Sequence, residues 1–335
     1  MTHRRPAQAA NARAAAPTRR GLLAGAAALA LAAAAPLRAQ DKPRVVCTTS
    51  MLGDMMRNLA GGRAEVRALM GPGIDPHSYR QTRSDVALML RADLMVWHGL
   101  WLEAQMDDFL RELARRKPAA ALAESLPRAL LRPHDSYPDR WDPHVWMDPA
   151  LWARLLTPAA ALLARIDPEG ADAFAAAAER HGAEMAALDA YARETLATVP
   201  PERRVLITAH DAFGYFGRAY GFEVMGVQGM STESEAGLQR IRQLVDVLVS
   251  RRVGAVFVES SVSERNLRAL IEGAAARGHE VRVGAELYSD AMGPEGSYEG
   301  TYLGMIDHNV TAIARALGGR APARGMRGLL REAQT

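Results

Sequence analysis

The chain of 335 residues is long enough for two domains of ordinary size, and its hydrophobic fraction of 49% excludes a disordered polypeptide. Its sequence pI of about 9.2 is misleading, because the first 39 residues hold six arginines and no lysine, aspartate or glutamate. Removing those six charges from the formal net charge of +3 leaves −3 for the remainder, so nucleic acid is not an expected partner.

Residues 1–39 are predicted to be a signal peptide for export. A basic stretch precedes the apolar run 21–36, which at about 15 residues is shorter than the ~20 that a membrane-spanning helix needs. A cleavage site ending at Ala39 would start the mature chain near Gln40. The pair Arg19-Arg20 resembles a twin-arginine signal, with an ordinary secretory signal or an uncleaved anchor as the alternatives.

Residues 40–166 are predicted to form a first α/β lobe. Apolar, β-branched runs alternate with helical segments, which indicates a mostly parallel sheet. The predicted strands are 44–48, 66–70 and 93–97. The predicted helices are 51–60, capped by Ser50, and a second one capped by Thr82 or Ser84 that ends at Leu90.

The only cysteine, Cys47, falls inside the first predicted strand. One cysteine cannot form an internal disulfide, although an exported protein would permit one. No lipidation motif precedes it, so we expect a small core residue and not a lipid attachment site.

Residues 167–199 are predicted to be one long rigid helix that joins two lobes. The segment is rich in alanine and glutamate, and Gly182 is the one glycine beyond its first turn. Asp167 suits an N-cap, with Pro168 at the first helical position, and Pro200-Pro201 ends the helix. About 31 residues would make a rod of roughly 46 Å. The alternative is a long helix packed within one domain.

Residues 200–320 repeat the strand and helix pattern and are predicted to form a second lobe, followed by a tail at 321–335. The predicted strands are 204–208, 222–227, 255–258 and 281–283, separated by helical stretches such as 237–249 and 264–277. The predicted fold is therefore two α/β lobes, each with a mostly parallel sheet flanked by helices.

Four polar side chains lie in loops near the carboxyl ends of predicted strands: His77, His144, His210 and Asp290. Ligands of open α/β sheets bind at such ends. If the two lobes face each other, two histidines of the first meet a histidine and an aspartate of the second. Imidazole nitrogens and a carboxylate suit zinc or manganese. Taken singly, each histidine also fits an ordinary loop or core position.

Other polar residues have weaker interpretations. His98 is expected to be structural or to support a ligand, and not to bind metal itself. His134 with Asp135 offers a weak auxiliary site or, alternatively, a solvated loop. Glu259 follows a predicted strand, and it is a candidate partner for His210.

Several motifs resemble one family from about residue 45 to residue 318. They are DPHSY at 75–79, DPHVWMDP at 142–149, RVLITAHDAFGYFGRAYGFEV at 204–224, FVESSVSERN at 257–266, GAELYSDAMG at 284–293 and EGTYLGMIDHNV at 299–310. The family is that of the zinc/manganese solute-binding proteins of ABC importers, the cluster A-I or TroA-like proteins.

This resemblance implies two α/β lobes joined by one long helix, and it places the metal ligands at His77, His144, His210 and Asp290. It implies a periplasmic, monomeric protein that captures zinc or manganese and delivers the ion to a membrane permease. The ATPase would be a separate cytoplasmic chain, since no Walker A sequence is present.

Two other function classes are weighed against this one. A secreted mononuclear metallohydrolase would need an open coordination position and a general base, and no His-Glu-x-x-His motif is present. A surface adhesin would use the metal only to stabilise its fold. Four protein ligands around one ion favour a binding protein that is not an enzyme.

Overall fold

The computed structural model describes Met1 and residues 42–135, 137–233 and 236–331. Apart from Met1, the signal peptide predicted over 1–39 lies outside the described residues. Within them, no helix is both long enough and apolar enough to cross a membrane.

The first lobe is built on a parallel four-stranded sheet with the order β2-β1-β3-β4. Its strands are β1 (Arg44–Cys47), β2 (Glu65–Ala68), β3 (Leu94–Trp97) and β4 (Ala119–Ala121). Its first helices are α1 (Ser50–Ala60), α2 (Arg83–Arg91) and α3 (Asp107–Ala114). The three predicted strands are confirmed within three residues at each end. β4 was not predicted, because three alanines have little intrinsic preference for a strand.

Of the N-caps predicted for the first two helices, one is confirmed and one is wrong. Thr82 caps α2 in a reciprocal capping box with Asp85, as one of the two predicted candidates. The prediction that Ser50 caps α1 is wrong. The hydroxyl of Thr49, one residue earlier, accepts from the amide of Leu52, and Ser50 is already helical.

A short helix and a longer one complete the first lobe, namely α4 (Pro149–Trp152) and α5 (Leu156–Ile166). A 3₁₀ turn at Pro168–Gly170 leads into α6 (Ala171–Ala197), whose 27 residues span roughly 40 Å. Asp167 does not cap this helix, contrary to the prediction, because its carboxylate binds the Arg63 guanidinium through two hydrogen bonds of 2.6 and 2.9 Å.

The second lobe repeats the first in topology, with a parallel sheet of order β6-β5-β7-β8. Its strands are β5 (Val205–Thr208), β6 (Glu223–Gly226), β7 (Ala255–Glu259) and β8 (Arg282–Leu287). Its helices are α7 (Gly214–Tyr220), α8 (Leu238–Ser250), α9 (Arg265–Ala275) and α10 (Tyr302–Ala316). All four predicted strands are confirmed, and the two-lobed fold with them.

The two lobes share one hydrophobic core. Side chains alternate along each strand, so Val45 and Cys47 of β1 face the shared core while Val46 faces a separate cluster on the other side of the sheet. In the second lobe, Leu206 joins the shared core and its neighbours join an outer cluster. Cys47 is fully buried, as predicted, and burial raises its thiol pKa to about 12.

Helix α6 lies along this shared core. It packs against α1 and α5 of the first lobe and against α7 and α10 of the second. The described part of the predicted tail is also packed, since Leu330 is buried and the amide of Met326 donates to Asp307 of α10.

Candidate metal centre

The structure brings together the four predicted residues. His210 lies two residues after β5 and Asp290 three residues after β8, while His77 and His144 lie in loops of the first lobe. All four side chains are buried, and one ligand atom from each lies within 4.8 Å of the others. Loops of both lobes therefore converge on a single point.

The distances fit one small cation. His77 Nε2 lies 3.2 Å from His144 Nε2, and His210 Nε2 lies 3.1 Å from a carboxylate oxygen of Asp290. The other Asp290 oxygen lies 3.5 Å from His144 Nε2. Ligands that surround a tetrahedral ion at 2.0–2.1 Å are separated by roughly 3.3 Å. These three spacings lie close to that value, and all four ligand atoms lie within 4.8 Å of one another.

Three of the candidate ligand atoms at the centre lack a hydrogen-bond partner among the described residues. Both Asp290 oxygens and His210 Nε2 are buried without a hydrogen bond among the described residues. A buried polar atom without a partner is costly, and it needs an explanation in a native structure. A cation at their common centre would satisfy all three.

The repeated Asp-Pro-His triplets shape two of the ligand loops. The carboxylate of Asp75 accepts the backbone amide of His77 at 2.9 Å. Asp142 accepts the backbone amide of His144 at 3.0 Å and also its ring Nδ1–H at 2.8 Å. The second contact fixes the tautomer of His144, so that Nε2 presents its lone pair to the centre.

Glu259, at the end of β7, plays the same part for His210. One oxygen accepts the His210 backbone amide at 2.8 Å, and the other accepts Nδ1–H at 2.6 Å. The hypothesis that Glu259 supports His210 therefore agrees with the geometry. His144 and His210 thus each bind a carboxylate through Nδ1 and direct Nε2 toward the centre.

Burial and charge set the protonation of the centre. Burial lowers the pKa of His77 to about 4, so this ring is neutral at physiological pH. Burial also acts to lower the pKa of His210, but the carboxylates of Asp290 and Glu259 outweigh it and raise this pKa well above 6.5. Burial would raise the pKa of Asp290, yet the neighbouring His210 holds it below its usual range.

The two weaker histidine candidates lie outside the cluster. His98 is fully buried, and its Nε2–H donates to the carbonyl of Pro143 at 2.7 Å, directly before His144. Burial lowers its pKa to about 3, so it stays neutral. His134 lies in the preceding loop, with its ring 5.0 Å from that of Tyr137.

Sequence reasoning missed the polar contacts that connect the lobes near the centre. The Tyr215 hydroxyl donates to the carbonyl of Asp142 at 2.9 Å, and the Trp146 indole donates to the carbonyl of Ser289 at 2.8 Å. Both aromatic residues lie within the family motifs, but their partners are 73 and 143 positions away. No local signal predicts such pairs.

The family described as zinc-uptake complex component A, periplasmic (ZnuA), matches residues 45–316. The chain belongs to this family. It is 43% identical over 279 residues to the manganese-binding lipoprotein MntA of Bacillus subtilis (strain 168), a match that covers 83% of this chain and 91% of that protein. It is 42% identical over 282 residues to the zinc-binding protein TroA of Treponema pallidum (strain Nichols), with coverage of 83% and 90%.

Solved structures agree with this assignment. The periplasmic zinc-binding protein TroA from Treponema pallidum superposes with a TM-score of 0.80, and the match covers 82% of this chain and 99% of that one. Family members are exported, non-enzymatic substrate-binding proteins that work with the permease and ATPase of an ABC transporter. The resemblance drawn from the motifs is confirmed, and nothing in the comparisons supports a metallohydrolase.

Proposed function

We propose that this protein captures one zinc or manganese ion with His77, His144, His210 and Asp290 and delivers it to the permease of an ABC importer. The observation that carries the proposal is the convergence of four buried donor atoms, all within 4.8 Å of one another. The relatives MntA and TroA are named for binding manganese and zinc. A set of three nitrogens and one oxygen accepts both ions and binds zinc more tightly.

The donor set acts as a closed cage. Four protein ligands leave no position for a catalytic water at a four-coordinate ion. The site therefore suits capture and release, and the ion is the cargo. The proposed segments are a first lobe at 40–166, a joining helix at 167–199 and a second lobe at 200–320.

The mature protein is proposed to be a monomer without a lipid anchor that begins near Gln40 after cleavage of the signal peptide. Its only cysteine is buried in β1, where a lipid cannot be attached without unfolding the sheet. Nucleic acid is not a proposed partner, since the mature chain has a net negative charge. Intact mass of the protein recovered from its native compartment checks the cleavage and the absence of lipid.

The test is metal binding by the purified protein together with uptake in a deletion strain of the native host. Wild-type protein should bind one ion per chain, and the gene should restore uptake. His144→Ala removes one ligand and should weaken binding at least a hundredfold, about the contribution of a strong metal ligand. His134→Ala is the control, because His134 lies outside the cluster. Unchanged affinity in His144→Ala refutes the proposed site.

A further inference from the structure

One hydrogen bond joins the two ligand loops of opposite lobes. The indole N–H of Trp146 donates to the backbone carbonyl of Ser289 at 2.8 Å. Trp146 follows His144 by two residues, and Ser289 directly precedes Asp290. Both partners are fully buried. The bond therefore spans the boundary between the lobes beside the centre.

Trp146 is itself fixed from both sides. Its backbone carbonyl accepts the hydroxyl of Tyr302 at 2.8 Å, and the amide of Tyr302 donates to Asp54 of α1 at 3.2 Å. Its ring lies edge-on to His144 at 5.2 Å and to His98 at 5.0 Å. Because these contacts fix Trp146, its bond to Ser289 ties the position of the Asp290 loop to that of the His144 loop.

The bond bears on the spacing of two ligands. His144 Nε2 and the nearest oxygen of Asp290 are 3.5 Å apart, although they come from different lobes. Without the indole N–H, the Ser289 carbonyl would be buried without this donor, and the loop that carries Asp290 would rearrange to find another partner. A shift of this loop changes the ligand spacing directly.

We propose that Trp146 is a positioning residue that sets the separation of His144 and Asp290, and with it the coordination geometry of the bound ion. This inference rests on the proposed function, since it assumes that the four residues bind metal. Trp146 touches no ion itself. It acts through Ser289 on one ligand and through its own chain segment on the other.

Trp152 provides a matched control. It is as deeply buried as Trp146, and its ring stacks on that of His98 with the centroids 5.9 Å apart. Its indole nitrogen has no hydrogen-bond partner among the described residues. Replacing either tryptophan by phenylalanine removes a similar volume, but only Trp146→Phe removes a hydrogen bond between the lobes.

The experiment compares wild type, Trp146→Phe and Trp152→Phe. Cobalt(II) serves as the probe, because its visible bands report coordination geometry, and zinc affinity is measured by competition with a chelator. Trp146→Phe should lower zinc affinity about tenfold, in the range found for residues that orient metal ligands, and should alter the intensity of the cobalt bands. Trp152→Phe should keep the wild-type affinity and cobalt spectrum.

The outcomes separate the two proposals. If wild type binds neither zinc nor cobalt, the proposed function fails. If wild type binds but Trp146→Phe matches Trp152→Phe in affinity and spectrum, the positioning role fails. Should Trp146→Phe not fold, Tyr302→Phe removes the hydroxyl that holds the Trp146 carbonyl. A folded Tyr302→Phe with a wild-type cobalt spectrum and affinity would also overturn the inference.

Discussion

At the scale of single residues, the chemistry of the centre depends on the carboxylates behind its histidines. Asp142 and Glu259 each accept the Nδ1–H of one ring and the backbone amide of the same residue. Each pair of bonds fixes both the position and the tautomer of its histidine. At the proposed site, the ligand atom is thus oriented before an ion binds, which lowers the entropy that binding must offset.

Glu259→Gln tests this arrangement. A glutamine keeps the size of the side chain but carries no charge, and its amide nitrogen can face His210. Metal affinity should fall between about tenfold and a hundredfold, measured by chelator competition at neutral pH. Glu264→Gln, on the exposed helix start nearby, is the control and should bind as wild type does. Equal affinities for the two variants would show that Glu259 does not orient His210.

The pH dependence follows from His210. Its pKa is raised well above 6.5 in the metal-free protein, so its Nε2 carries a proton near neutral pH. The ion must displace that proton, and affinity should therefore fall as pH drops below this raised pKa. His77, whose pKa is about 4, adds competition only in more acidic solution.

Calorimetry in two buffers of different ionisation enthalpy measures this exchange. At pH 7 the binding of one ion should release about one proton. The affinity should already decline between pH 8 and pH 6, earlier than an ordinary histidine would cause. Proton-independent binding over this interval would contradict the account of His210.

At the scale of elements, helix α6 contains a glycine with room for a side chain. A Cβ at Gly182 would meet only a methyl carbon of Leu156 at 3.5 Å, an ordinary contact. Gly182→Ala should therefore stabilise the protein by about 0.5–1 kcal/mol, the difference in helix propensity. Urea unfolding of the metal-free protein measures this change.

Gly304 is the matched control in α10. A Cβ there would lie 1.8 Å from the carbonyl oxygen of Tyr298, so Gly304→Ala forces the backbone to move. It should destabilise the protein, in the opposite sense to Gly182→Ala. If Gly182→Ala is also destabilising, the helix interior does not have the space that its contacts indicate.

Sequence patterns predicted the regular elements well, and they failed where the local signal is shared or weak. All seven predicted strands are present in the structure. They were predictable because each is a run of β-branched or apolar residues followed by a break. Strand β4, with three alanines, gave no such signal. Thr49 and Ser50 are both good caps, and the local sequence does not choose between them. In the structure Thr49 has the extended backbone and accepts the amide of Leu52.

The four residues of the centre were predictable, but their supporting contacts were only partly so. Asp142 precedes His144 by two residues, which makes its role readable from the motif. The bond from Trp146 to Ser289 joins positions 143 apart, and the one from Tyr215 to Asp142 joins positions 73 apart. Contacts of this kind depend on how the lobes meet, which a single sequence does not encode locally.

At the scale of the whole molecule, the shared core limits how far the lobes can separate. Trp146 of the first lobe and Tyr215 and Tyr302 of the second are fully buried between them. Exposing one such ring to water costs roughly 5 kcal/mol. Together with α6, which packs on both lobes, this cost opposes a wide opening.

Small-angle scattering tests this stiffness. Metal-free and metal-loaded protein should have the same radius of gyration within error, because capture requires only local movement of the ligand loops. The same comparison with Trp146→Phe shows whether the shared core or one hydrogen bond holds the lobes. A decrease of several per cent on metal loading would indicate hinge closure of the kind seen with flexible connecting strands.

The most direct test of the metal centre is a crystal structure of the metal-loaded protein, with anomalous diffraction recorded at the zinc and manganese absorption edges. We predict one anomalous peak per chain, about 2.0–2.2 Å from the Nε2 atoms of His77, His144 and His210 and from a carboxylate oxygen of Asp290. A peak at His134, at His98 or elsewhere on the surface, with none between these four side chains, would contradict the account.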